Sequence, residues 1–103
     1  MRNKKTIILD VTDCKYLGEL HERIRVAFDF PEWYGANWSA FWDLLWSECD
    51  ADEVSVQGEH SLPKEFDKDI AKMHEILYRY QLEREEDSKK YDDIRPFKYI
   101  IKS

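Results

Sequence analysis

The stretch Phe30–Trp46, FPEWYGANWSAFWDLLW, contains all four tryptophans of the chain and its sharpest change of backbone preference. The proline after Phe30 disfavours helical geometry for that residue, so a helix arriving from the N-terminal side should end there. Gly35 permits positive φ, and the side-chain oxygen of Asn37 can accept hydrogen bonds from the first amides of a new helix. The pattern predicts a bend, followed by a helix that begins at Trp38.

The second helix divides into a polar strip and an apolar arc when successive residues are set about 100° apart. Ser39, Asp43 and Ser47 fall on the polar strip, so Asp43 should face water. The arc is expected to pack into the core and consists of Trp38, Phe41, Trp42, Leu44, Leu45 and Cys49.

The residues before this stretch predict a strand and a helix. Thr6–Val11 is a nearly continuous apolar run rich in β-branched residues, which is typical of a strand covered on both faces in a parallel sheet. Asp13 is a candidate cap for the helix that follows, and His21 lies with its charged neighbours mostly off the apolar stripe of that helix. The stripe consists of Leu17, Leu20, Ile24, Ala27 and Phe28.

The residues after it predict a strand, a third helix and a last strand. Glu53–Gln57 alternates weakly and is closed by Gly58, and a helix should open at Leu62 and Pro63. Charges dominate from position 83 to 93, so this helix should fray there into a solvated loop. Phe97–Ile101 is the predicted last strand. The core stripe of the third helix consists of Phe66, Ile70, Met73, Leu77 and Tyr80.

The order β-α-α-β-α-β predicts one α/β domain over residues 1–103. Its expected architecture is a small three-stranded parallel sheet with helices packed around it. The chain is long enough to bury a core of its own.

Composition excludes several classes of function. Apolar residues make up 43% of the chain and no apolar run approaches the roughly 20 residues that span a bilayer, so we expect no membrane insertion. The short apolar run after MRNKK predicts no secretion signal. A formal charge of −6 disfavours direct nucleic-acid binding and favours basic partners.

The cysteines and histidines predict no metal site and no cofactor. Cys14 and Cys49 match no disulfide framework, metal or redox spacing, which indicates reduced thiols in a cytoplasmic protein. The three histidines are scattered and show no metal-binding spacing.

The helix segment LGELHERI followed by FPEWYGANWSAFWDLL resembles the barstar family of ribonuclease inhibitors. The resemblance covers residues 5–48 most closely, and the terminal KYIIKS resembles that family's closing strand. It implies a barstar-like fold and a protein that binds a ribonuclease toxin, occupies the RNA-binding cleft and protects the cell that makes the toxin. It implies no catalysis.

The resemblance also assigns roles by position. Asp43 matches the aspartate that inserts among the nuclease's basic catalytic residues, and Trp33 matches a contacting tyrosine. Ser39 departs from the family pattern, since a second acidic residue is expected there, and this implies a different target nuclease. The resemblance further implies an acidic contact late in the third helix, for which Arg79 and Glu83 are unassigned candidates. The predicted partner-binding residues are Trp33, Tyr34, Gly35, Asn37, Trp38, Ser39, Trp42, Asp43 and Trp46.

Two other functions remain open at this stage. The chain could be an acidic binding module for a different basic toxin or partner, because a fold can be kept while its target changes. It could also be a hydrolase that uses Asp43 with a histidine. Without the resemblance, Asp43 reads as an ordinary solvated charge, and Trp38 and Trp42 read as core residues. We expect the free protein to be a monomer.

Overall fold

Three strands and three α-helices follow one another as β-α-α-β-α-β in the computed structural model, which describes residues 5–102. Residues 1–4 and 103, at the two ends of the predicted domain, lie outside the described residues. The elements are β1 (Thr6–Asp10), α1 (Leu17–Phe28), α2 (Trp38–Ser47), β2 (Glu53–Gln57), α3 (Asp67–Lys90) and β3 (Lys98–Lys102).

The strands form one parallel sheet in the order β1-β2-β3. Ile7 pairs with Val54, and Val54 pairs with Tyr99, so the three strands are in register. The parallel sheet and the helices confirm the predicted fold class.

One face of β1 is exposed, so the prediction that both its faces are covered is wrong. Ile7 and Leu9 are buried, whereas Ile8 between them is 53% exposed. β1 is an edge strand, and Ile8 points to the face opposite the buried one. A run of apolar residues satisfies strand propensity whether or not both faces are covered, and sequence alone did not distinguish the two cases.

α1 ends close to the predicted position, but its start and its buried face differ from the prediction. Asp29 adopts left-handed geometry with φ 57°, and the amide of Phe30 donates to the carbonyl of Arg25 at 2.9 Å, which closes the helix. Asp13 does not cap this helix, because it lies in a turn four residues before Leu17 with φ 58°. Leu17 is 40% exposed and His21 is buried, the reverse of what the apolar stripe indicated.

α3 starts later and continues further than predicted. A short 3-10 turn, Lys64–Phe66, occupies the predicted first turn, and another, Glu59–Ser61, precedes it. The helix then runs from Asp67 to Lys90 without fraying at residue 83. Tertiary contacts keep the charged C-terminal part of α3 helical. The Arg84 guanidinium donates to the carbonyl of Arg95 at 2.9 Å and stacks over the ring of Phe97.

The core lies between the helices and the buried face of the sheet. Its fully enclosed side chains come from every layer and include Leu9, Ile24, Phe41, Val54 and Leu77. No helix in the described part of the chain combines the length and the apolar character needed to cross a membrane.

Candidate functional site

The bend before α2 is held by Asn37, as predicted. Its side-chain oxygen accepts from the amide of Ala40 at 2.8 Å, and its side-chain amide donates to the carbonyl of Gly35 at 3.1 Å. The residue with positive φ is Ala36, at 53°, and not Gly35, so the predicted position was wrong by one. A Cβ at position 35 would lie 3.0 Å from the Asn37 side chain, so glycine there leaves room for the cap.

The outer strip of α2, formed by Ser39, Asp43 and Ser47, faces solvent, which confirms the predicted orientation. Asp43 supplies its only charge. Within residues 5–102, Asp43 has no hydrogen bond or ion pair, so its carboxylate is not used by the fold.

The tryptophans differ in exposure, in line with their expected split between core and surface. Trp38 and Trp42 are half-buried against the core, and the indole N–H of Trp38 donates to Asp69 Oδ1 at 3.2 Å. This bond ties the first turn of α2 to the first turn of α3. Trp46 is 38% exposed, and Trp33, in the loop, is 71% exposed.

Tyr34 is buried under the loop and bonded to a buried histidine. His21 Nδ1 and Tyr34 Oη lie 2.6 Å apart, and the His21 ring packs against Trp38 with 4.4 Å between centroids. Burial raises the pKa of the Tyr34 phenol and lowers the pKa of His21, against a weaker opposite effect from Asp69. Both groups are therefore neutral near pH 7. As a partner contact Tyr34 stays a prediction, and its ring supports the loop from below.

A groove of about 270 Å³ lies beside Asp43, between α2 and α3. One wall comes from residues 38–43 of α2, and the other, called the α3 wall, comes from residues 72–79 in the middle of α3. The lining residues are Trp38, Ser39, Trp42 and Asp43 from α2, and Lys72, Glu75, Ile76 and Arg79 from α3.

The α3 wall carries two cations that are held near the groove. The Arg79 guanidinium carbon lies 5.3 Å from the centroid of the Trp42 ring, and its Nε donates to Glu83 at 3.2 Å. The ammonium of Lys72 lies 3.7 Å from a carboxylate oxygen of Glu75. The two acids and two bases that line the groove have cancelling formal charges, so this surface is not acidic although the chain is.

Sequence reasoning missed the burial of His21, and of the α3 wall it named only Arg79, as an unassigned candidate contact. His21 lies three residues before Ile24 and seven before Phe28, so its helical spacing fits the core face. Lys72, Ile76 and Arg79 lie one residue before members of the core stripe, which marks the border of the buried face. No sequence rule indicated that this border would meet α2.

A larger groove of about 490 Å³ lies elsewhere, near the end of β3. There His74 Nε2 is 2.6 Å from Glu59 Oε2, a pair that links the 3-10 turn to α3. None of the described residues that line the Asp43 groove is a histidine, so a hydrolytic pair with Asp43 has no geometric basis there. Cys14 and Cys49 are free, and burial raises the pKa of both thiols.

Comparison with known proteins gives two matches. Residues 4–92 match the family model described as Barstar (barnase inhibitor). A protein of Bacillus subtilis (strain 168) named "Putative ribonuclease inhibitor YrdF" is 39% identical over 41 residues, which are 40% of this chain and 45% of that protein. The matched part therefore spans less than half the length of this curated relative.

Proposed function

The chain belongs to the barstar family of ribonuclease inhibitors, and on that premise we propose that it is the immunity protein of a bacterial ribonuclease toxin. It binds the cognate enzyme through the loop before α2 and the outer strip of α2, and it blocks the RNA-binding cleft. The observation that carries this proposal is the exposed Asp43 carboxylate, which has no partner within residues 5–102.

A carboxylate in this setting can substitute for an RNA phosphate. Ribonuclease clefts hold phosphates with Arg, Lys and His side chains, and charge-assisted hydrogen bonds to a carboxylate can satisfy the same groups. Asp43 stands on a helix whose other side packs Phe41, Leu44 and Leu45 into the core. Little conformational entropy is then lost on binding, because the helix is already ordered.

The loop supplies the second part of the surface. Trp33 offers a large, exposed aromatic ring, a residue type that is enriched in binding hot spots. The bond between Tyr34 and His21 and the cap by Asn37 fix the loop on both sides of Gly35. We assign contacts to Trp33, Gly35, Ser39 and Asp43, and a supporting role to the buried Tyr34.

Inhibition on this model is steric and electrostatic, and the chain catalyses no reaction. The net charge of −6 accelerates the encounter with a basic enzyme. The protein acts in the cytoplasm as a monomer that forms a one-to-one complex with the toxin.

Deleting the gene for this chain from a source strain that keeps an intact ribonuclease toxin gene tests the proposal. We expect self-intoxication with degraded RNA, rescued by the wild-type chain but not by Asp43→Asn. The matched control is Asp92→Asn, which removes the same charge from an exposed site beyond the end of α3 and should rescue fully. Survival of the deletion strain, or equal rescue by both variants, would contradict the proposal.

A second candidate, an acidic module for a different basic partner, is favoured by one feature. The groove beside Asp43 is lined by Lys72 and Arg79 as well as by acids, a mixed pattern that fits a partner with a mixed surface. This candidate predicts that the chain copurifies with a basic protein that has no ribonuclease activity, and that the deletion leaves RNA intact.

A further inference from the structure

We propose that Arg79 is a specificity-determining residue of the inhibitory surface, and that it selects a ribonuclease with an acidic side chain next to the cationic site that receives Asp43. The proposal rests on the proposed function and assigns a role to the α3 wall of the groove. It requires a partner surface that carries both charges, with a cation opposite Asp43 and an anion opposite Arg79.

The position of Arg79 is the first support. It lines the same groove as Asp43 but forms no ion pair with it. A ligand that covers Asp43 from the side of α3 therefore also meets Arg79. The Arg79 side chain is 68% exposed, so its guanidinium is accessible from solvent.

The orientation of the guanidinium is the second support. Its central carbon lies over the Trp42 ring, and Nε is the atom that donates to Glu83. Within the described residues, the terminal Nη groups of Arg79 have no hydrogen-bond partner. A guanidinium presents its Nη pair as a fork that fits a carboxylate or a phosphate.

Charge complementarity then limits the partner. An RNA-binding cleft that is cationic along its whole length would satisfy Asp43 and repel Arg79 and Lys72. Juxtaposed like charges at an interface cost enough to exclude a wrong partner. An anionic side chain of the enzyme opposite Arg79 removes that repulsion, and RNA phosphates are excluded because the inhibitor occupies their site.

Barnase, the enzyme named in the family model's description, is the probe, and its cleft is taken to be cationic, as expected of an enzyme that holds RNA phosphates. The measurement is the inhibition constant of the purified chain against barnase. We expect the wild-type chain to inhibit weakly and Arg79→Glu to inhibit at least about tenfold better, since a repulsive charge becomes an attractive one. Arg79→Gln should fall between the two.

Lys89→Glu is the matched control, because it makes the same charge change on an exposed residue at the far end of α3. It should change the inhibition constant less than about twofold, since long-range charge effects are largely screened by salt. The proposal is overturned if Arg79→Glu inhibits no better than wild type, including the case in which neither inhibits. It is also overturned if Lys89→Glu gives the same gain.

A double variant separates this proposal from the proposed function. In Arg79→Glu, adding Asp43→Asn should abolish the gain. If Asp43→Asn weakens inhibition while Arg79→Glu leaves the inhibition constant unchanged, Asp43 keeps its role and the specificity role proposed for Arg79 is wrong. If Arg79→Glu improves inhibition but Asp43→Asn has no effect in either background, the role proposed for Asp43 is wrong and Arg79 remains part of the interface.

Discussion

α2 and α3 form the two walls of one groove, but they differ in how many charged side chains they carry and in whether these are paired. α2 carries a single charge, Asp43, which has no partner within residues 5–102. α3 is rich in charges, and those beside the groove are paired on the helix itself, as in Lys72 with Glu75 and Arg79 with Glu83. Paired charges support the helix that carries them, whereas the carboxylate of Asp43 adds nothing visible to folding.

This contrast indicates which acidic residues of a small acidic protein are candidates for binding a basic partner. A net charge of −6 suggests that any acidic residue could serve a basic partner. A charge that is held rigidly and has no partner gives up its hydration when another molecule engages it, but it gives up no intramolecular bond. On α2 this residue is Asp43, which stands two positions from the fully buried Phe41, so one short helix has a folding face and a proposed binding face.

The largest expected effect is on the folding face of α2. Phe41→Ala should lower the free energy of unfolding by about 3–5 kcal/mol, because a fully buried aromatic side chain leaves a cavity among packed rings. Urea unfolding monitored by tryptophan fluorescence measures it. Ser47→Ala, on the exposed strip of the same helix, should stay within about 0.5 kcal/mol of wild type. Similar losses for both would mean that α2 has no separate folding face.

Asp43→Asn should show the reverse pattern. Its free energy of unfolding should stay within about 0.5 kcal/mol of wild type, because no described partner is lost. Affinity for the cognate ribonuclease should fall by about 2–5 kcal/mol, a range for desolvated charge pairs in which this family's barnase–barstar complex is itself a measured case. Calorimetric titration together with urea unfolding checks both halves. A loss of stability as large as the loss of affinity would contradict the view that Asp43 serves binding and not folding.

His21 gives the buried side of the site a pH dependence. Burial holds the pKa of His21 below its ordinary value of 6.5, so below that pH the unfolded chain binds a proton that the folded chain does not. The contribution to stability is therefore complete above about pH 6.5 and is lost as the pH falls towards the folded pKa, by at most about 1.4 kcal/mol per pH unit. Tyr34 and Trp38 pack on the ring, and Asp69 of α3 partly opposes the shift.

Urea unfolding of the wild type and of His21→Gln between pH 7.5 and 5.5 measures this dependence. The wild type should lose more stability than the variant over this interval, whatever the variant's absolute stability. The two proteins share every other titratable group, so only the difference between their unfolding free energies reports on His21. Parallel curves would show that His21 is not kept neutral by burial.

The sequence-based predictions that succeeded depended only on the local properties of residues. Asn37 has a capping side chain whatever surrounds it, and the arc of α2 follows from helical spacing alone. The predictions that failed depended on neighbours distant in sequence. Ile8 is exposed because it lies on the uncovered face of β1. The charged end of α3 stays helical because Arg84 meets Phe97 and the carbonyl of Arg95.

The candidate site divides in the same way. The exposure of Asp43 was predictable from its place on the helix. The partner-binding role that the resemblance implies for it stays a prediction. The groove was not predictable, because Arg79 and Trp42 come together only when α2 packs on α3. The burial of His21 likewise required the loop residue Tyr34 to fold back over α1.

The smallest expected effect concerns the paired charges of α3. Glu83→Gln should lower the free energy of unfolding by about 0.3–0.5 kcal/mol, the usual contribution of an exposed ion pair four residues apart on a helix. In 1 M salt the difference from wild type should shrink, because the Debye length falls to about 3 Å. Glu85→Gln, a change of the same kind on an exposed neighbour, is the control. If Glu83→Gln is neutral at both salt concentrations, the pair is not what holds Arg79 over Trp42, and the stacking on the ring alone must orient the guanidinium.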